Sequence, residues 1–180
     1  MKWLGCFLAA LAVCAPLPGA VECGCDHSAP ATLEERQCSL CREAEKQTGG
    51  IFFLKDISPR KPNRWLVLEK QQHGKGQQSL RDLSPQELTA FWKAAIARAQ
   101  EMWPDVWGVA YNADTVRTQC HIHLHIGKLL EGLDESGGRL IASPEQFPVP
   151  DPEQGIWLHP VPGGYHVHTD RAIAEPVLLH

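Results

Sequence analysis

Apolar residues recur at helical spacing in one long block of this chain and at strand spacing in several short ones. Leu88, Phe91, Trp92, Ala95, Ile96 and Ala99 form a stripe with a period near 3.6, the mark of a helix that buries one face. Ser84-Pro85-Gln86-Glu87 joins an N-cap, a proline at the first helical position and a glutamate at N3, so this helix is expected to start there and run to about Met102. A capping box at Thr32-Leu33-Glu34-Glu35 predicts an earlier helix to about Gln47, closed by Gly49-Gly50. Between them, 51–56 and 65–68 read as two strands of a hairpin around the turn 58–63, and 106–112 reads as a third strand. The strictest alternation follows at 119–126. There His121, His123 and His125 would line one face over roughly 13 Å while Ile122, Leu124 and Ile126 pack on the other. Beyond Lys128 the pattern weakens to short strand-like pieces at 156–158 and 165–168; His166 and His168 alternate there, which reads more simply as a surface strand than as a second centre.

With 180 residues and ordinary apolar and charged fractions, the chain suits one compact domain with appendages. Its mildly negative net charge of −4 and scattered cations lack the basic footprint of a nucleic-acid binder. Met1-Lys2, an apolar run over 3–15 and a small-residue end at 16–20 fit an export signal better than a membrane span. Residues 1–20 are therefore expected to act as a signal peptide or an uncleaved anchor, with 21–31 as leader, 32–130 as the domain and 131–180 as an extension. The expected location is exported, periplasmic or secreted, with membrane tethering left open.

Export changes the reading of the cysteines. Removal of Cys6 and Cys14 with the signal leaves Cys23, Cys25, Cys38, Cys41 and Cys120 where disulfides are permitted, and their odd number leaves at least one free or metal-bound. Cys38-Ser-Leu-Cys41 has the spacing of half a zinc site, and equally that of a disulfide or redox pair. Three imidazoles on one strand suit phosphoryl transfer, since a neutral imidazole attacks phosphorus and its neighbours donate to phosphate oxygens. They also suit metal binding.

The alternation at 121–126 resembles the signature of the histidine-triad superfamily of nucleotide hydrolases and transferases. Segment 56–68, with His73 after it, is similar to the strand-turn-strand that forms that superfamily's second landmark. Arg117-Thr118-Gln119, with Asn112 and the export segment, most resembles the CDP-diacylglycerol pyrophosphatase branch. The likeness spans about residues 35 to 130. It implies an α+β fold, a histidine-triad-like antiparallel sheet of about five strands with two main helices. It also implies that His123 is the nucleophile, forming a covalent phosphohistidine, with His125 donating to a phosphate oxygen or the leaving group and Gln119 among the catalytic residues. Asn112, Thr118 and Gln119 would hold phosphate oxygens or orient the ring, and Arg117 would neutralise phosphate, though a solvent-facing Arg117 reads as well. Asp56 would meet ribose hydroxyls, or simply initiate a turn. One of Phe52 and Phe53 would stack on a base.

In zinc-containing members of that superfamily a Cys-x-x-Cys, a histidine after the second landmark and the first triad histidine hold a structural zinc. The matching residues here are Cys38, Cys41, His73 and His121. No organic cofactor is implied. Cytosolic phosphoramidate hydrolases carry a histidine before the second strand and a Gly-Gly-Gln-Ser run before the triad, where this chain has Arg64 and 115–119. That departure, with export, points to a nucleotide or nucleotide-lipid pyrophosphate, and leaves membrane-surface association and a homodimer open. The alternative is a periplasmic metal-binding or metal-buffering protein using the triad, His166, His168 and the cysteines.

Overall fold

The computed structural model describes residues 21–70, 76–133 and 138–179. The expected export segment, with Cys6 and Cys14, and His73 lie outside the described residues. Among the described residues seven strands form one antiparallel sheet: β1 (Ile51–Lys55), β2 (Trp65–Glu69), β3 (Trp107–Tyr111), β4 (His123–Lys128), β5 (Arg139–Ile141), β6 (Ile156–Val161) and β7 (Gly164–His168). Their order across the sheet is β1-β2-β4-β3-β6-β7-β5. The α+β class is as the sequence predicts, but the sheet exceeds the expected five strands because β5, β6 and β7, from the stretch read as an extension, continue it past β3.

Among the described residues two α-helices accompany the sheet, α1 (Ser39–Glu45) and α2 (Pro85–Met102). The α2 start is built as its sequence dictates. The Ser84 hydroxyl accepts from the Glu87 backbone N–H at 3.3 Å, and Glu87 Oε2 accepts from the Ser84 N–H at 2.8 Å. All six residues of the predicted stripe are buried. They pack on Val67, Val109, Leu124, Ile126, Leu158 and Val167, which share one sheet face. Covering Phe91 or Leu124 in this way is worth about 1.5–3 kcal/mol each.

The first helix is shorter than predicted. Instead of one helix over 32–47, two 3₁₀ turns, Pro30–Glu34 and Arg36–Cys38, precede α1. Glu35 between them is extended, with φ −61° and ψ 141°, which ends helical hydrogen bonding there. Thr32 Oγ1 makes its bonds upstream, accepting from the Asp26 N–H and donating to the Ala29 carbonyl, both at 2.8 Å. Disulfide Cys25–Cys38 anchors this stretch to its leader, and Cys23–Cys120 anchors the leader to the approach to β4.

The sheet's second face carries the histidines and is covered from both sides. Over β1 and β2, Ala44 of α1 packs with Phe52, Leu66 and Leu68. Over β3 and β6, the C-terminal segment lays Ala174, Val177 and Leu178 on Ala110, Leu129 and Trp157. Gly108 permits this close approach, because a Cβ there would stand 2.9 Å from Leu178 Cδ2 and 3.2 Å from Leu129 Cδ1. His123 and His125 lie between the two covers.

Candidate active site

The site is set by register. His123 is paired with Leu68 of β2, and His125 with Leu66 of β2 and Ala110 of β3, so both imidazoles stand on the face opposite α2. Their ring centroids are 5.0 Å apart and the planes are nearly perpendicular, at 78°. His121 lies just before β4 and not within it, which corrects the expectation of one continuous strand of three histidines.

Backbone carbonyls fix the ring tautomers. His123 Nδ1 lies 2.8 Å from the His121 carbonyl, and a carbonyl only accepts, so Nδ1 carries the proton and Nε2 keeps its lone pair. By the same argument His121 Nε2–H donates to the Glu69 carbonyl at 2.6 Å, with the ring wholly buried. Burial pushes the His123 imidazolium well below the ordinary range, helped by His125, Arg117 and His121 and opposed by the bond to the His121 backbone. His125 is pushed down in the same way, by burial first and then by Arg64, Lys61 and Arg117. Both rings are therefore neutral near pH 7.

A carboxylate sits among cations beside His125. Glu175 Oε1 is 2.8 Å from Lys61 Nζ, while Oε2 is 2.7 Å from Arg64 Nη1 and 3.3 Å from His125 Nε2. Arg64 is wholly buried. Burial lowers its pKa, and the Glu175 and Asp56 carboxylates oppose that. The backbone of this segment is held by Asn112, whose Oδ1 accepts from the N–H groups of Ala174 at 2.8 Å and Glu175 at 2.9 Å. Sequence reasoning missed Lys61 and Glu175, and noted Arg64 only as a departure. Lys61 and Arg64 had a signal, since their turn leads into the strand expected beside the triad. Glu175 had none.

The remaining expected residues are distributed differently. Asn112 holds the C-terminal segment by the bonds just described. The Gln119 amide is held by the segment before α1: its Oε1 accepts from the Ser39 hydroxyl at 3.0 Å and its Nε2 donates to the Arg36 carbonyl at 3.1 Å. Arg117 does not face solvent, and its charge acts on both His123 and His125. It is buried against the Tyr111 ring, pairs with Asp114 at 2.9 Å, donates to the Gln78 carbonyl, and reaches the His121 carbonyl at 3.4 Å. Thr118 is exposed. Asp56 Oδ1 accepts from the Ser58 N–H at 2.9 Å, which is the turn-initiating role. Phe52 is buried beneath α1, and Phe53 lies on the opposite face under the Arg98 guanidinium.

The expected zinc set does not fit this arrangement. Cys38 is joined to Cys25, so its sulfur is not a thiolate, and the expected partner of a Cys38/Cys41 disulfide is replaced as well. Cys41 is buried outside both disulfides. Among the described residues two groups bring three metal-ligating atoms within 4.8 Å of one another. One is Cys25, Cys38 and Cys120, whose sulfurs are all in disulfides. The other is His159, His166 and His168.

No described helix is long and apolar enough to cross a membrane. Two disulfides are compatible with an exported protein. A cavity of about 290 Å³ lined by Gln77, Ser79, Arg81, Asp82, Asp114, Thr115 and Pro152 includes none of the triad. Comparison with known proteins found no matching family model, no similar curated protein and no similar solved structure.

Proposed function

We propose that this chain is an exported phosphoanhydride hydrolase acting on a nucleotide-linked pyrophosphate, of which CDP-diacylglycerol is the candidate, with His123 as nucleophile. The observation that carries the reading is the bond from His123 Nδ1–H to the His121 carbonyl. It leaves a neutral ring with its Nε2 lone pair directed by the backbone, the state a nucleophilic imidazole needs. Nε2 attacks one phosphorus of the anhydride, and the bridging oxygen leaves with the other phosphate. Water then cleaves the phosphorus–nitrogen bond and restores His123. His125 donates one N–H to a phosphate oxygen, and Lys61 and Arg64 supply the positive charge that phosphoryl transfer requires. The Glu175 carboxylate, itself an anionic group seated between those cations and His125, supports that reading. Arg117 is a positioning residue: it donates to the same His121 carbonyl that orients the His123 ring.

The test is turnover of CDP-diacylglycerol and of simple dinucleotides by purified disulfide-intact protein, with acid-quenched trapping of the phosphorylated enzyme. Expected are hydrolysis and a labelled peptide containing His123, both lost in His123→Ala. Wild-type turnover by His123→Ala would end the proposal.

A further inference from the structure

The β6–β7 hairpin carries a second histidine group that the proposed chemistry does not use. His159 is paired with His166, and His168 with Trp157, so the three imidazoles share the triad's sheet face. Their ring centroids are 5.5 Å apart for His159 and His166, 5.6 Å for His159 and His168, and 6.2 Å for His166 and His168. Three strand spacings separate the strand of His168 from that of His125, about 14 Å, and the C-terminal segment lies between them. The two groups are thus separate sites.

Packing alone does not account for the cluster. His168 is stacked on Trp157 at 3.7 Å and is only 3% exposed, yet its Nε2 has no hydrogen-bond partner among the described residues. His166 Nδ1 is likewise without one. A buried ring nitrogen left in this way is unfavourable, so a ligand that satisfies it has a free-energy reason to bind. Gly138 lets the chain pass close beside the rings, leaving no side chain against the His168 nitrogen. A Cβ there would stand 2.7 Å from His168 Nε2 and 2.9 Å from His166 Cβ. The three ligand atoms already fall within 4.8 Å of one another. A tetrahedral ion with nitrogen ligands at about 2.0–2.1 Å needs them about 3.3 Å apart, a closure that imidazole ring rotation can supply.

We propose that His159, His166 and His168 form a binding site for a late first-row divalent cation, zinc foremost, with three imidazole ligands and one open position. Imidazole-only ligation suits zinc, copper and nickel, and three protein ligands leave a place for water or another donor. The site uses neither the triad nor the cysteines. It stands whether or not His123 is a nucleophile.

The experiment is calorimetric titration of Zn²⁺ into the full disulfide-intact chain, chelator-stripped and carrying no polyhistidine tag. One Zn²⁺ per chain is expected, with affinity at least tenfold weaker in both His166→Gln and His159→Gln and unchanged in His123→Gln. His166 is only half-buried, so its substitution leaves the core intact; circular dichroism confirms folding. Absence of Zn²⁺ binding, or binding that persists in both hairpin variants, overturns the proposal.

Discussion

Removing the Cys23–Cys120 disulfide should cost the protein more stability than removing Cys25–Cys38, and the difference follows from where the cysteines lie. The first bridge spans 97 residues of sequence and the second spans 13. Cross-linking restricts the unfolded chain in proportion to the logarithm of the closed loop, about 4.7 kcal/mol for a loop of 100 residues and about 3 kcal/mol for one of 15. The predicted gap is therefore about 1.7 kcal/mol, which in a domain of this size is a melting-temperature difference of roughly 3–7 °C. Cys120 and Cys38 are equally buried, so the packing difference between the two pairs comes down to the small side chains of Cys23 and Cys25. Guanidinium unfolding of Cys23→Ala/Cys120→Ala beside Cys25→Ala/Cys38→Ala reads the gap directly. The long bridge also ends one residue before His121, whose carbonyl orients His123, so its loss should lower turnover more than loss of the short one. Equal destabilisation, or a larger loss from the short bridge, would refute the loop-entropy reasoning.

Two further outcomes follow from the covered triad. Glu175→Gln removes the charge facing the wholly buried Arg64 and should cost about 3 kcal/mol, the lower end for a broken buried pair because Glu175 keeps some exposure. Added pyrophosphate should restore more stability to that variant than it adds to wild type in thermal-shift measurements, and an unchanged unfolding midpoint would count against the ion cluster. Stability should also fall as pH drops below about 6.5, where the unfolded chain protonates histidines that the folded chain holds neutral at 123 and 125. Because the folded values are depressed, the unfolded state binds more protons in that window, so acid destabilises and the curve flattens above about pH 7.5. Denaturant midpoints between pH 8 and pH 5.5 check this, and His125→Gln should show a shallower slope.

The parts of this fold that were legible in the sequence are those whose information is local. The α2 helix was visible because its cap box and its stripe from Leu88 to Ala99 lie within two dozen residues and agree with each other. Strand β4 was visible because alternation at 122–126 has only one extended solution. The first helix failed because the capping box at Thr32 competes with bonds to Asp26 and Ala29 and with two disulfides, whose pairing no spacing could specify. The tail is hard to read for another reason: β6 and β7 are short and β6 is interrupted by Pro160, yet Pro162-Gly163 between them is a usable hairpin signal, with Gly163 at φ +90°. Pairing the two strands around that turn puts His159 opposite His166, and the second histidine cluster would then have been readable from sequence.

Glu175 marks the opposite limit. Its neighbours Ala174 and Pro176 carry no pattern, and its role exists only because Asn112 holds the two backbone N–H groups at that turn while Leu178 settles over Gly108. The contact that sets the charge beside His125 is thus made by a segment whose own sequence favours no element. The site is assembled from a strand that is specified locally and a cover that is specified only by what it lies on. Loosening the cover therefore alters the chemistry at His125 without altering the strand that bears it, which is why substitutions at Glu175 report on the site more cleanly than substitutions within β4.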